Sequence, residues 1–234
     1  MTITVYYGEQ FNYPTKEPTS VLREIKTREK KSLESNSNMG DLIFCPAFTD
    51  YYKNIFSIKN IHDWSITRED SYYFSRDFSP ETFNKYFLNR NEKIGFFSFF
   101  MPSLYLIPDR SVQAEFLQPT LSNSDINKKT NIVQGTFNLY KHIRPTETSF
   151  LFKEKYDTIK CRTDDDLYYV KFNTNEKIKF KRFFCNDEFN KIVDMNLANR
   201  EFNTFNLPLK WWYEINELTK QRKRLMEIVK NNLE

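Results

Sequence analysis

The run from Leu167 to Phe183 constrains the fold more than any other part of the chain. Leu167-Tyr168-Tyr169-Val170-Lys171-Phe172 is a β-branched and aromatic string with the composition of a strand, and Asn173-Thr174-Asn175-Glu176 after it is a polar connection. Lys177, Lys179 and Lys181 then alternate with Ile178 and Phe180 and, after one irregular step, Phe183. A period of two sends successive side chains to opposite faces of a strand, so one face is core and the other a lysine stripe. The pattern predicts a hairpin over 167–183. Its lysines either keep an edge strand from pairing with other chains or form a surface for an anion or nucleic acid. Upstream, a strand-like run from Val133 ends in Gly135-Thr136-Phe137 and leads through Arg144-Pro145. Arg144 is a further candidate anion anchor, set against a plain salt bridge at a strand boundary.

The rest of the pattern is strands punctuated by a few helices. Residues 2–7 read as a first strand, and Val21, Leu22 and Ile25 start a highly charged helix that fades near Ser35, an exposed helix or mobile arm. Strands resume at 42–48 and 55–66. Phe78-Ser79-Pro80-Glu81-Thr82-Phe83 is a helix start: Ser79 caps free amides, Pro80 loses nothing at the first helical position, and Phe78 and Phe83 form a staple. That helix is expected to end at 89–91. Short strands follow at 94–101, 105–107 and 112–117, with Pro102, Pro108 and Pro119 between them, and 122–130 reads as a polar loop. Asn186 or Asp187 caps a short helix carrying Phe189, Ile192 and Val193.

Pro208 introduces the longest helical pattern, from Leu209 to Leu233, about 36 Å long at roughly 1.5 Å per residue. Trp211, Ile215, Leu218, Leu225 and Val229 share one side, and Lys220, Arg222, Lys223 and Arg224 crowd the middle. The helix reads as a lid on the β body or a docking element for a partner, and less as a membrane-surface helix, because Glu214, Glu217 and Glu227 dilute its basic face. Trp and Arg are enriched in interface hot spots, which makes Trp211, Trp212, Ile215, Leu218, Arg222 and Leu225 the candidate partner-binding residues. Trp211 and Trp212 lie about 100° apart around the axis, so one is expected on the body and the other on a partner, with the basic cluster at a polar rim.

Composition excludes several classes. The chain has 234 residues with 23 Phe and 14 Tyr against 4 Gly, so much of the core is expected to be aromatic. A net charge of +4 is low for a dedicated duplex-binding protein. The 3 cysteines, Cys45, Cys161 and Cys185, are far apart and read as reduced thiols in the core of a cytosolic protein. Met1 to Tyr7 has neither a basic leader nor a long apolar run, so no signal peptide is expected, and the longest apolar stretch, around Ile94 to Ile107, is broken by Gly95, Ser98, Pro102 and Ser103, so no membrane span is expected.

Catalytic and metal-binding patterns are weak. His62-Asp63 and His142 contain both histidines, but a two-His, one-carboxylate triad on a strand needs the carboxylate two residues from its His, and here they are adjacent. Asp164-Asp165-Asp166 reads as a turn rather than a calcium or magnesium site. Cys45 would need a His brought beside it by the fold. No catalytic residue, metal or cofactor is expected.

Three blocks together resemble a family encoded by tailed bacteriophages of marine bacteria: Cys45-Pro46-Ala47-Phe48 with Lys53-Asn54; Gly135-Thr136-Phe137 with Arg144-Pro145; and Asp166 to Phe172. Where the family favours Gly before the acidic residue of the last block, this chain has Asp165. The resemblance spans about 40–185 and implies a viral origin and a β-rich body. It carries over no functional residue.

The expected fold is α+β and β-dominated, a sandwich or partly open barrel of about nine to eleven short, mainly antiparallel strands. Residues 1–40 would form an N-terminal strand and charged helix or arm, 41–207 the β body, and 208–234 the C-terminal amphipathic helix. The expected function is that of a non-catalytic virion structural or interaction protein, in the particle or in host cytoplasm during assembly. Its partners would be other virion proteins or further copies of itself, with no membrane. The alternative is an accessory protein that binds nucleic acid or a small anion through Lys177, Lys179, Lys181 and Arg144; an enzyme is the least favoured reading.

Overall fold

Period-two alternation sorts the side chains of this chain into two cores on opposite faces of one sheet. The structure, a computed structural model, describes residues 1–34, 44–201 and 221–234. It is a strand-rich α+β fold of open, mainly antiparallel sheets. Fourteen strands are present among the described residues, more than the nine to eleven expected from the pattern, because several are only two to four residues long.

One sheet runs in the order β14 (Lys177–Arg182), β1 (Thr2–Glu9), β7 (Phe96–Pro108), β11 (Thr146–Phe152), β9 (Thr130–Ile132), with β6 (Phe87–Asn91) also on β7. A second runs β10 (Gly135–Asn138), β8 (Gln113–Leu117), β13 (Asp166–Phe172), β3 (Ile55–Lys59), β2 (Thr19–Ser20). A third contains β12 (Tyr156–Cys161), β4 (Trp64–Glu69) and β5 (Tyr72–Phe74). All named pairs are antiparallel except β1 with β14.

Ile3, Val5 and Tyr7 of β1 point into a core shared with Trp64, Phe97, Phe116, Val170 and Phe180 from all three sheets. Phe97 is fully buried and its ring lies 5.1–5.5 Å from those of Phe87, Phe150 and Phe152. Tyr6 of β1 points the other way, with Tyr105 and Ile107 of β7, into a second core against helices α5 (Asp187–Glu201) and α6 (Gln221–Asn231). The outer face of the second sheet is covered by α1 (Val21–Glu34) and α2 (Pro46–Tyr52), where Val21, Tyr52, Ile55 and Tyr169 pack together.

Several expectations are corrected by this arrangement. The run 167–183 is not a hairpin: β13 is already flanked by β3 and β8, so β14 crosses to the other sheet and pairs with β1. The Asn54 amide holds this corner by donating to the carbonyls of Thr174 at 2.8 Å and Glu176 at 2.9 Å. Strand β1 lies between β14 and β7, inside the body and not on an appended arm. Residues 46–52 form a helix, not a strand, with Pro46 in its first turn and the rings of Phe48 and Tyr52 at 4.6 Å one turn apart.

Ser79 does cap α3 (Pro80–Tyr86), accepting from the Thr82 amide at 3.2 Å, but the helix stops at Tyr86. Phe87 is drawn into β6 opposite Phe99, where ladder and ring stacking outweigh local helix preference. Phe96–Pro108 is one strand and not two, because Pro102 falls where the β7–β11 register shifts and no ladder amide is needed. Residues 125–129 form a short helix, α4 (Asp125–Lys129), since Ile126 is buried within the expected loop. Residues 146–161, assigned no element from the pattern, supply β11 and β12.

Arg68 is buried at the end of β4 and donates to the carbonyls of Asp70, Glu154 and Glu92 at 3.0–3.2 Å, tying the third sheet to the turn before β7. Gly95 closes that turn at φ 75°, and a Cβ there would collide with the Arg68 guanidinium. We expect Gly95→Ala to lose more than about 1 kcal/mol, since left-handed strain adds to the displacement of a buried arginine. Leu225→Ala, at a position with no exposure, should cost about 2–5 kcal/mol. Urea denaturation of both variants measures these losses.

Candidate functional site: a basic groove at an open sheet edge

Strand β14 is an edge, as one reading of its lysines required, and its backbone shows what the edge offers. The amides of Lys177 and Phe183 donate to the carbonyls of Met1 and Tyr7, so odd-numbered residues of the strand face β1. Even-numbered residues face outward. Two of those outward groups are taken by the chain itself: Phe184 N–H donates to Asn232 at 2.9 Å, and the Arg182 carbonyl accepts from Glu234 at 3.2 Å, with Phe183 bridged antiparallel to Leu233. The outward N–H and C=O of Ile178 and Phe180 have no partner among the described residues.

They border a groove of about 870 Å³ between this edge and the β2–β3 edge of the facing sheet. Phe56 of β3 meets Phe180 of β14 edge to face at 4.9 Å, and Phe172 joins both, which closes the floor with aromatic carbon. Lys177 and Lys179 line one side, and Arg23, Arg28 and Lys53 come from α1 and the end of α2. Glu17 and Glu24 are the acidic residues in the wall. Glu24 is taken up by Lys59 at 3.0 Å, so the cations dominate. Lys181 is exposed on the same strand beyond the groove.

Lys59 supports this wall from below. Its ammonium bonds the buried Asp166 carboxylate, which also accepts from Ser57, and through Glu24 it pins α1 to β3. Burial pulls the Lys59 pKa down, but hydrogen bonds and charges from Asp166 and Glu24 outweigh it and leave the group above its ordinary value.

The remaining candidates are scattered. His62 is exposed with its ring against Tyr13, and Asp63 accepts from Thr163 N and Oγ1 at 2.7 and 2.8 Å, which holds its carboxyl below the usual range. His142 is buried against Phe137. Cys45 is exposed, not a core residue, whereas Cys161 and Cys185 are buried and burial pushes both thiols up. The three aspartates are split by their turn: Asp164 at φ 74° pairs with Lys16, Asp165 accepts from Arg162 N, and Asp166 serves Lys59. No group of three His, Cys, Asp or Glu side chains among the described residues is placed to hold a metal ion. No described helix is long and apolar enough to cross a membrane.

Of the helix residues expected to meet a partner, Trp211, Trp212, Ile215 and Leu218 lie outside the described residues. Leu225 and Arg222 are buried in the fold itself, which corrects their assignment. Leu225 packs against Phe189 and Val193 of α5, while Arg222 donates to the Pro108 carbonyl and lies 4.5 Å over the Tyr140 ring, not at a polar rim. Burial pulls the Arg222 pKa down to about 10, and it stays charged at neutral pH. Arg144 lies at the entry to β11, away from the groove, with no ion pair among the described residues. The cations from α1 and Lys53 were missed in the sequence, since no local spacing links them to β14.

The chain matches no family model, no curated protein and no solved structure.

Lys59→Met should destabilise the protein by about 3–5 kcal/mol at neutral pH by leaving Asp166 buried without its cation. A raised lysine pKa stabilises the fold below the unfolded value of about 10.4 and loses that contribution as pH rises through the folded value. The gap between wild type and variant should therefore narrow only above about pH 10, as read by urea denaturation across the alkaline range.

Proposed function

We propose that the protein is a non-catalytic interaction protein that takes an extended, acidic segment of a partner protein along the open edge of β14. The observation that carries this reading is the outward peptide groups of Ile178 and Phe180, which have no partner among the described residues, next to a stretch of the same edge that the chain's own Leu233 already bridges antiparallel at Phe183. Strand addition supplies affinity through main-chain bonds and specificity through alternate side chains. A peptide brings both N–H donors and C=O acceptors to such an edge; a phosphodiester brings acceptors alone. This favours a protein partner over nucleic acid. Lys177, Lys179 and the α1 arginines favour acidic side chains, and the same lysines repel a second β14 edge. Taken with the resemblance of its central blocks to a family of tailed phages, the partner we propose is another virion protein, met in the particle or during assembly in host cytoplasm.

A labelled peptide of alternating Glu and Val, about eight residues long, tests this by fluorescence anisotropy. It should bind saturably, weaken with salt, fail when N-methylated on the residues facing β14, and weaken several-fold against Lys177→Gln/Lys179→Gln/Lys181→Gln. A single-stranded oligonucleotide that binds more tightly and is lost in the same triple variant would transfer the site to the nucleic-acid alternative. Binding of neither probe would sink both.

A further inference from the structure

A second cleft, of about 200 Å³, lies where the residues after β1, helix α3, strand β7 and the entry to β11 converge. It is independent of the β14 groove. Its walls are apolar and aromatic: Phe11, Tyr86, Phe100 and Pro145, with the Phe11 and Tyr86 rings edge to face at 6.0 Å. Two cations reach it, Arg144 from one side and Lys85 from the other, the Lys85 ammonium lying 4.1 Å over the Phe11 ring. The acidic side chain in the lining, Glu147, is held by Arg90 at 2.9 Å. Gln10 accepts from Ser103 Oγ at 2.9 Å through its carbonyl, which leaves its amide N–H groups as further donors. Arg144 Nε is buried and has no hydrogen-bond partner among the described residues.

A buried guanidinium nitrogen without an acceptor is costly, and a carboxylate is the acceptor that matches its fork. Drug-sized ligands take roughly 300–1,000 Å³, so this cleft admits something smaller. The aromatic walls favour a flat apolar body over a polyhydroxylated one. We propose that this cleft binds a small aromatic monocarboxylate, with the carboxylate on Arg144 and Lys85 and the ring between Phe11, Tyr86 and Phe100.

Titration with benzoate, followed by amide chemical shifts and calorimetry, tests the proposal against benzamide as the neutral isostere. Benzoate should bind saturably and benzamide should not compete. Arg144→Gln should weaken benzoate at least about tenfold, the effect of losing a charge-assisted hydrogen bond. Lys85 is exposed on α3, so Lys85→Ala retains the fold if the arginine variant does not, and should weaken benzoate a few-fold. Absence of saturable benzoate binding, equal binding of benzamide, or full affinity in Lys85→Ala would each overturn it. So would a peptide with a free C-terminal Phe that binds more than tenfold tighter than benzoate, since the site would then be one for a protein terminus.

Discussion

Strand β1 serves two cores at once, and the rest of the structure depends on that. Its odd residues Ile3, Val5 and Tyr7 enter the core between the sheets, and Tyr6 enters the core beneath α5 and α6. A strand buried on both faces must also be satisfied along both edges, because no water reaches its peptide groups. β7 takes one edge antiparallel and β14 takes the other in parallel, so residues 175 apart in sequence, such as Thr2 and Lys177, become neighbours. The parallel pair is what carries β14 away from β13 and to the rim of the first sheet.

That handover creates the groove. The corner at 173–176 passes the chain from one sheet to the other, so the edges β14 and β2–β3 end up on the same side with Phe56 and Phe180 between them. An open edge is a hazard for aggregation, and lysines are a common answer to it. Here the lysines have cationic company from α1 and α2, and the pairing of Leu233 with Phe183 extends one end of the same edge. Protection against self-pairing and selection of an acidic strand are compatible, since both follow from positive charge beside peptide groups that have no partner among the described residues.

Buried charge holds the layers in register. Arg68 spends its donors on backbone carbonyls of three segments, at Asp70, Glu92 and Glu154, and Lys59 bridges Asp166 and Glu24 between strand and helix. Removing one partner from such a set exposes the other to the full cost of burial, which is why these contacts discriminate between arrangements even where their net contribution to stability is small. Arg222 is a different case, held among the described residues by the Pro108 carbonyl and by Tyr140.

Local features were legible in the sequence where the physics is local. Alternation of Lys with Ile178 and Phe180 marked a one-sided strand, the Ser79-Pro80 pair marked a helix start, and Asn186 marked the start of α5, where its side chain accepts from Phe189 N. Pro46 with the Phe48 and Tyr52 pair carries an equally local signal for α2. Strand partners were not legible, because a period of two states which face is buried and not which strand lies alongside. Hence β14 looked like one arm of a hairpin, and Arg222, on the pattern of an exposed basic cluster, proved to be buried over Tyr140. The lysine stripe belongs to the sequence; the groove belongs to the tertiary structure, since it needs α1, β3 and β14 to meet, and contacts over such separations are set by the packing of whole sheets rather than by any local pattern.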